Sequence, residues 1–82
     1  MIFTWELKIK FELDGKEHKV LVDKIVIKGH RPEKFYRVAA RSGNRDIIRH
    51  NGQWIVCSGG SLPEKVLDAL GAGIEKILGN DV

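Results

Sequence analysis

Residues 3–15 read FTWELKIKFELDG, and this stretch decides the fold. Phe3, Trp5, Leu7, Ile9, Phe11 and Leu13 alternate without a fault with Thr4, Glu6, Lys8, Lys10 and Glu12. Successive side chains of a strand point to opposite sides, so a period of two predicts a strand with one buried face. Trp5 belongs to the core on this reading. Asp14-Gly15 follows, a pair that tolerates positive φ at both positions and favours a two-residue hairpin turn. A turn centred there opposes Phe11 with His18, Ile9 with Val20 and Leu7 with Val22, which carries the apolar face across the hairpin. It also sets Lys10 against Lys19 and Glu12 against Glu17, a mildly unfavourable arrangement.

Beyond Val22 the phase slips. Val20 and Val22 are even positions, whereas Ile25 and Ile27 are odd. One extra residue near Asp23-Lys24 would restore the phase, so a β-bulge and a curled sheet are expected. Gly29 to Lys34 reads as a loop, because Pro32 has no amide hydrogen to give a ladder. His18 is expected at a strand end with its ring half buried. Residues 35–41 form a third strand, Ser42 to Arg45 a turn, and residues 46–50 and 53–57 a second hairpin around Asn51-Gly52. There Ile48 opposes Ile55, Ile47 opposes Val56, and Arg49 opposes Trp54. Both faces are then partly apolar. A sheet covered on one side shows polar residues on the other, so the outer face is expected to be covered by the curl of the sheet or by a second copy of the chain.

The last third carries helix punctuation. Ser61-Leu62-Pro63-Glu64 fits a capping box, and Pro63 falls in the first turn. Val66, Leu70, Ile74 and Ile77 recur at helical spacing, joined by Leu67 and Leu78. Gly73 lies on the rim of that stripe, where a close approach to the sheet would require it. Gly79-Asn80 ends the helix. The expected fold is α+β, a single domain over 1–82: a curled antiparallel meander of four or five strands packed by one C-terminal helix (β-β-β-β(-β)-α).

Eighty-two residues that are 43% hydrophobic and 30% charged suit one small globular domain. No apolar run is long enough to span a membrane as a helix. The N-terminus lacks the charged and apolar regions of a secretory signal. Cys57 is the only cysteine, which excludes a disulfide framework and makes a reducing cytoplasm the default address. His18, His30 and His50 do not have metal-ligand spacing, and no metal or cofactor is expected.

Charge is unevenly spread. Residues 1–27 balance to zero. Residues 28–50 hold Lys28, Arg31, Lys34, Arg37, Arg41, Arg45 and Arg49 against Glu33 and Asp46, and residues 51–82 are net acidic. A guanidinium suits phosphate and stacks on flat rings. Arg37, Arg41, Arg45 and Arg49, with Trp54 as a stacking surface, are therefore candidates for nucleic acid or another anionic partner. Solvated strand residues guarding sheet edges would look the same. For Trp54 a subunit contact, a core position and a ligand platform all remain open.

Cys57-Ser58-Gly59-Gly60-Ser61 leads into the helix N-terminus, a place that can hold an anion or activate a thiol. Gly59, Gly60 and Ser61 form a weak candidate anion site. The arginine of a Cys-x5-Arg phosphatase loop is missing, since Pro63 stands there, and no Gly-Lys-Ser/Thr triplet occurs. No carboxylate is placed in a pocket, so catalysis is not expected.

Strands first and one helix last resembles the strand-strand-strand-strand-helix unit of the Whirly, Pur-alpha and transcriptional-coactivator single-strand-binding folds. The resemblance is one of element order over most of the chain. It implies dimerisation and a basic sheet face that holds single-stranded nucleic acid. The expected function is a small cytoplasmic binding or interaction module that forms a homodimer without catalytic activity. The alternative is a single-stranded nucleic-acid-binding protein that uses the arginine-rich sheet face.

Overall fold

The computed structural model describes residues 1–29, 33–39 and 43–79. His30, Arg31, Pro32, Arg41, Ser42 and Asn80 lie outside the described residues. Five strands are followed by one helix: β1 (Ile2–Leu13), β2 (Lys16–Ile27), β3 (Glu33–Val38), β4 (Arg45–His50), β5 (Gln53–Ser58) and α1 (Glu64–Leu78). The strands form one open antiparallel meander in the order β1-β2-β3-β4-β5. Asp14 and Gly15 have φ of 53° and 78°, and Asn51 and Gly52 have 51° and 77°. Both hairpins therefore turn through paired positive-φ residues, whose twist matches that of the flanking strands.

Pairing on β1 and β2 runs unbroken from Leu13↔Lys16 to Ile2↔Ile27, with Phe11↔His18 and Leu7↔Val22 as expected. The bulge expected near Asp23-Lys24 is absent. Ile25 and Ile27 do not return to the helix side; they turn to the outer face, opposite Thr4 and Ile2. Among the described residues, the register shift lies at Asp46/Ile47, between β4 and β5.

Ile9, Val22, Tyr36, Val38, Ile47, Leu70 and Ile74 form the core, where the helix stripe meets the alternating strand face. The helix touches both edge strands, β1 and β5. Gly71 and Gly73 lie only about 3 Å apart along the helix axis yet meet β5 and β1 respectively, so this sheet wraps around α1. These two glycines permit it. A Cβ on Gly71 would collide with the Trp54 indole on β5, and one on Gly73 would meet Ile9 Cγ2 on β1 at 2.5 Å. Two positions apart on a helix means about 200° of rotation, so the two glycines flank the stripe on nearly opposite sides.

Trp5 is 49% exposed, against its expected place in the core. The reason is length. Twelve strand residues extend about 40 Å, whereas a fifteen-residue helix covers about 22 Å. The Phe3–Trp5 end of the first hairpin overhangs the roof. His18 is exposed as well, its ring stacked on Phe11 at 5.3 Å. The capping box does not form: Pro63 is the N-cap residue and no side chain caps the helix start. At the other end Gly79, at φ 60°, donates its amide to the Glu75 carbonyl.

Candidate functional site

Strand alternation and register sort the charges onto two surfaces. Lys16, Lys24, Lys34, Arg45 and Arg49 share the helix side of the sheet with no strand carboxylate. Glu6, Glu12, Glu17, Asp23, Glu33 and Asp46 all lie on the outer side, with Lys8, Lys10, Lys19 and Arg37. The arginines singled out by composition are thereby separated. Arg37 stands on the outer face between Asp23 and Asp46 in register, and its Nε donates to Asp46 Oδ1 at 2.9 Å. That hydrogen bond and the charge of Asp46 raise the Arg37 pKa further above its ordinary value. Arg49 lies on the helix side, its Nε 3.3 Å from Glu75 Oε1.

Trp54 resolves as a packing residue. Its ring meets Tyr36 edge-on at 5.4 Å, and its Nε1 donates to the same Glu75 Oε1 at 3.2 Å. One carboxylate oxygen thus engages both the arginine and the indole that were candidates for a base platform.

Arg45 reaches back over the β5–α1 connection. Its Nε donates to the Ser61 carbonyl at 3.3 Å, and its Nη1 donates to the Gly43 carbonyl at 3.1 Å. A Cβ on Gly60 would touch that guanidinium. Gly59, Gly60 and Ser61 therefore serve the close crossing of this connection over the start of β4. The Cys57 Sγ donates to the Asp46 carbonyl at 3.3 Å, and burial, followed by the Asp46 charge, pushes its pKa up. An activated nucleophile requires a shift in the other direction.

The surface that stands out lies around β1. Met1, Ile2, Trp5, Leu21 and Ile77 are large exposed apolar residues. Leu21 is paired with Lys8 of β1, and Ile77 lines a groove with Lys8, Lys10, Gly73 and Lys76. On the helix side of the sheet Phe3 and Trp5 stack at 6.0 Å, with Lys24 Nζ 5.7 Å from the Trp5 ring centre and Lys28 Nζ 5.1 Å from that of Phe3. Sequence reasoning misses this cluster because faultless alternation places Trp5 inside; the comparison of strand length with helix length was the available signal.

A second apolar band crosses the outer face. Ile25 faces Phe35, and Ile48 faces Ile55. Phe35 and Ile48 line an open depression of about 410 Å³ with Glu33, Lys34, Asp46 and Cys57. Ile25 is buried, Phe35 and Ile48 are half-buried, and Ile55 is exposed. Among the described residues, no helix is long and apolar enough to cross a membrane, and no group of three or more His, Cys, Asp or Glu side chains could hold a metal ion.

Compared with protein-family models, curated proteins and solved structures, the chain matches none. The resemblance in element order to single-strand-binding folds thus stands on element order alone.

Proposed function

We propose that the protein is a small cytoplasmic interaction module that acts through self-association rather than through chemistry of its own. The observation that supports this is the set of large exposed apolar side chains on and near β1: Ile2 and Leu21 on the outer face, Trp5 on the helix side and Ile77 on α1. Ile2 is 66% exposed and Ile77 51%, in a domain that otherwise closes a tight core. Large apolar side chains left exposed on an edge strand and its neighbours favour contact with another protein. The lone Cys57 is the basis for the cytoplasmic assignment. Light scattering on the eluting peak of a gel-filtration column is expected to give twice the 9.3 kDa chain mass at micromolar concentration. A mass of one chain throughout would overturn the reading.

A second reading has its own support in the Phe3–Trp5 pair and its lysines. Exposed rings beside ammonium groups suit the bases and phosphates of a single strand. On this reading a short single-stranded oligonucleotide quenches tryptophan fluorescence, and binding weakens steeply with added salt. Trp5→Ala should weaken binding by roughly tenfold or more, given about 1–3 kcal/mol for one base–aromatic stack. Unchanged affinity in that variant would remove the platform.

A further inference from the structure

We infer that two copies of the chain join through their β1 edges, antiparallel and centred on Leu7, to make one ten-stranded sheet. The inference rests on the self-association reading and adds the surface and the register. β1 is an edge strand of twelve residues whose ladder to β2 has no bulge. An edge of that length, lacking proline and bulge, is a template for another strand. The other edge, β5, has six residues and a register shift beside it.

Backbone parity shows which groups face outwards. In a two-residue hairpin the residues flanking the turn, here Leu13 and Lys16, form a hydrogen-bonded pair, and such pairs recur at every second residue. Met1 and Lys28 exchange bonds at the far end, Lys28 N to Met1 O at 2.8 Å and Met1 N to Lys28 O at 3.1 Å, with the same parity. Odd residues of β1 therefore bond to β2. Even residues, from Ile2 to Glu12, present their amides and carbonyls to the open edge.

Charge then selects the register. A two-fold axis through Leu7 sets Glu6 opposite Lys8 of the second copy, twice, in hydrogen-bonded pairs. Leu7 meets its own copy in the closer, non-hydrogen-bonded pair, Trp5 faces Ile9, and Phe3 faces Phe11. An axis through Glu6, Lys8 or Lys10 brings a like charge onto itself. An axis through Ile9 opposes Glu6 with Glu12 and Lys8 with Lys10. An axis between residues puts polar positions on the apolar face. Of the registers centred from Glu6 to Lys10, only the one on Leu7 pairs opposite charges without a like-charge pair.

Gly73 stands over Ile9, two residues from the axis. The two copies of α1 are thus offset by about 14 Å along the strand, at about 3.4 Å per residue. Trp5, facing Ile9 of the second copy, comes beneath the helix segment that runs from Gly73 to the exposed Ile77.

Sedimentation of the full chain tests this. Glu6→Lys and Lys8→Glu are each expected to raise the dimer dissociation constant about tenfold or more, because each turns two attractive pairs into repulsive ones. An equimolar mixture of the two variants is expected to regain wild-type affinity, since the two edges are then complementary. Glu6 faces Asp23 within its own chain, so Glu6→Lys places opposite charges together there and leaves the fold at least as stable. Variants that dimerise as tightly as wild type would overturn the β1 edge and leave self-association standing. A monomeric wild type would overturn both.

Discussion

Ile74→Ala is expected to remove about 3 kcal/mol of unfolding free energy, within the range of about 2–5 kcal/mol for truncating a buried isoleucine. Ile74 is fully buried where the helix stripe meets the sheet core. The sheet is anchored around the helix by the crossings at Gly71 and Gly73, so it cannot readily collapse into the space left. A domain of this length has roughly 4–12 kcal/mol in total at typical values per residue. The loss is therefore a large fraction of the whole. Urea unfolding followed by circular dichroism should show a lower midpoint at an unchanged slope. Lys65→Ala, on the exposed helix face, should change stability by no more than about 0.5 kcal/mol. A cost below about 1 kcal/mol for Ile74→Ala would mean that residues 64–78 are not docked on the sheet.

The second large effect concerns Gly59. Its φ is 98°, and an added Cβ would overlap the Asn44 carbonyl oxygen and lie 3.1 Å from Arg45 Cα. Backbone cannot rotate aside as a flexible side chain can. Gly59→Ala therefore combines a strained backbone conformation, about 1–3 kcal/mol, with overpacking of similar size. We expect a loss of about 2–6 kcal/mol from the two together. Two controls separate these contributions. Gly52 also has positive φ, at 77°, but open space around its Cβ position, and should cost only about 1–2 kcal/mol on replacement by alanine. Gly29 has neither constraint, and Gly29→Ala should be near neutral. Equal losses at Gly59 and Gly52 would show that the crossing over β4 is not close. Intact stability in Gly59→Ala would reopen a ligand role for this connection.

Much of the architecture is legible in short segments. The alternation of residues 3–13 and the Asp14-Gly15 turn lead to the first hairpin in its observed register. Asn51-Gly52 does the same for the second, including Ile48 opposite Ile55 and Arg49 opposite Trp54. The Val66–Ile77 spacing reveals the helix, and Gly73 on its rim marks a real contact with Ile9. These features repeat within a few residues, where strand and helix geometry alone sets which side chains share a face.

The candidate site is less legible. The arginines look like one basic block because they are close in sequence. Odd and even strand positions lie on opposite faces, and neighbouring carboxylates engage Arg37 and Arg49. Arg41 lies outside the described residues. The phase slip at Asp23 resembles a bulge, yet the ladder continues and sends Ile25 to the outer face, a choice that depends on what β3 offers at Phe35.

The sequence by itself determined the two hairpins, the helix and the fold class, because each depends on local periodicity and on backbone angles at named residues, whereas β3 begins at Glu33, inside the segment that Pro32 marks as a loop, and ends at Val38. Only the tertiary structure decided which apolar residues stay outside. That depends on the span of α1 against the span of β1 and β2, and on Glu75, distant in sequence, reaching both Arg49 and Trp54. Burial is a property of what lies over a residue, and in this chain the covering element begins about sixty residues after Trp5.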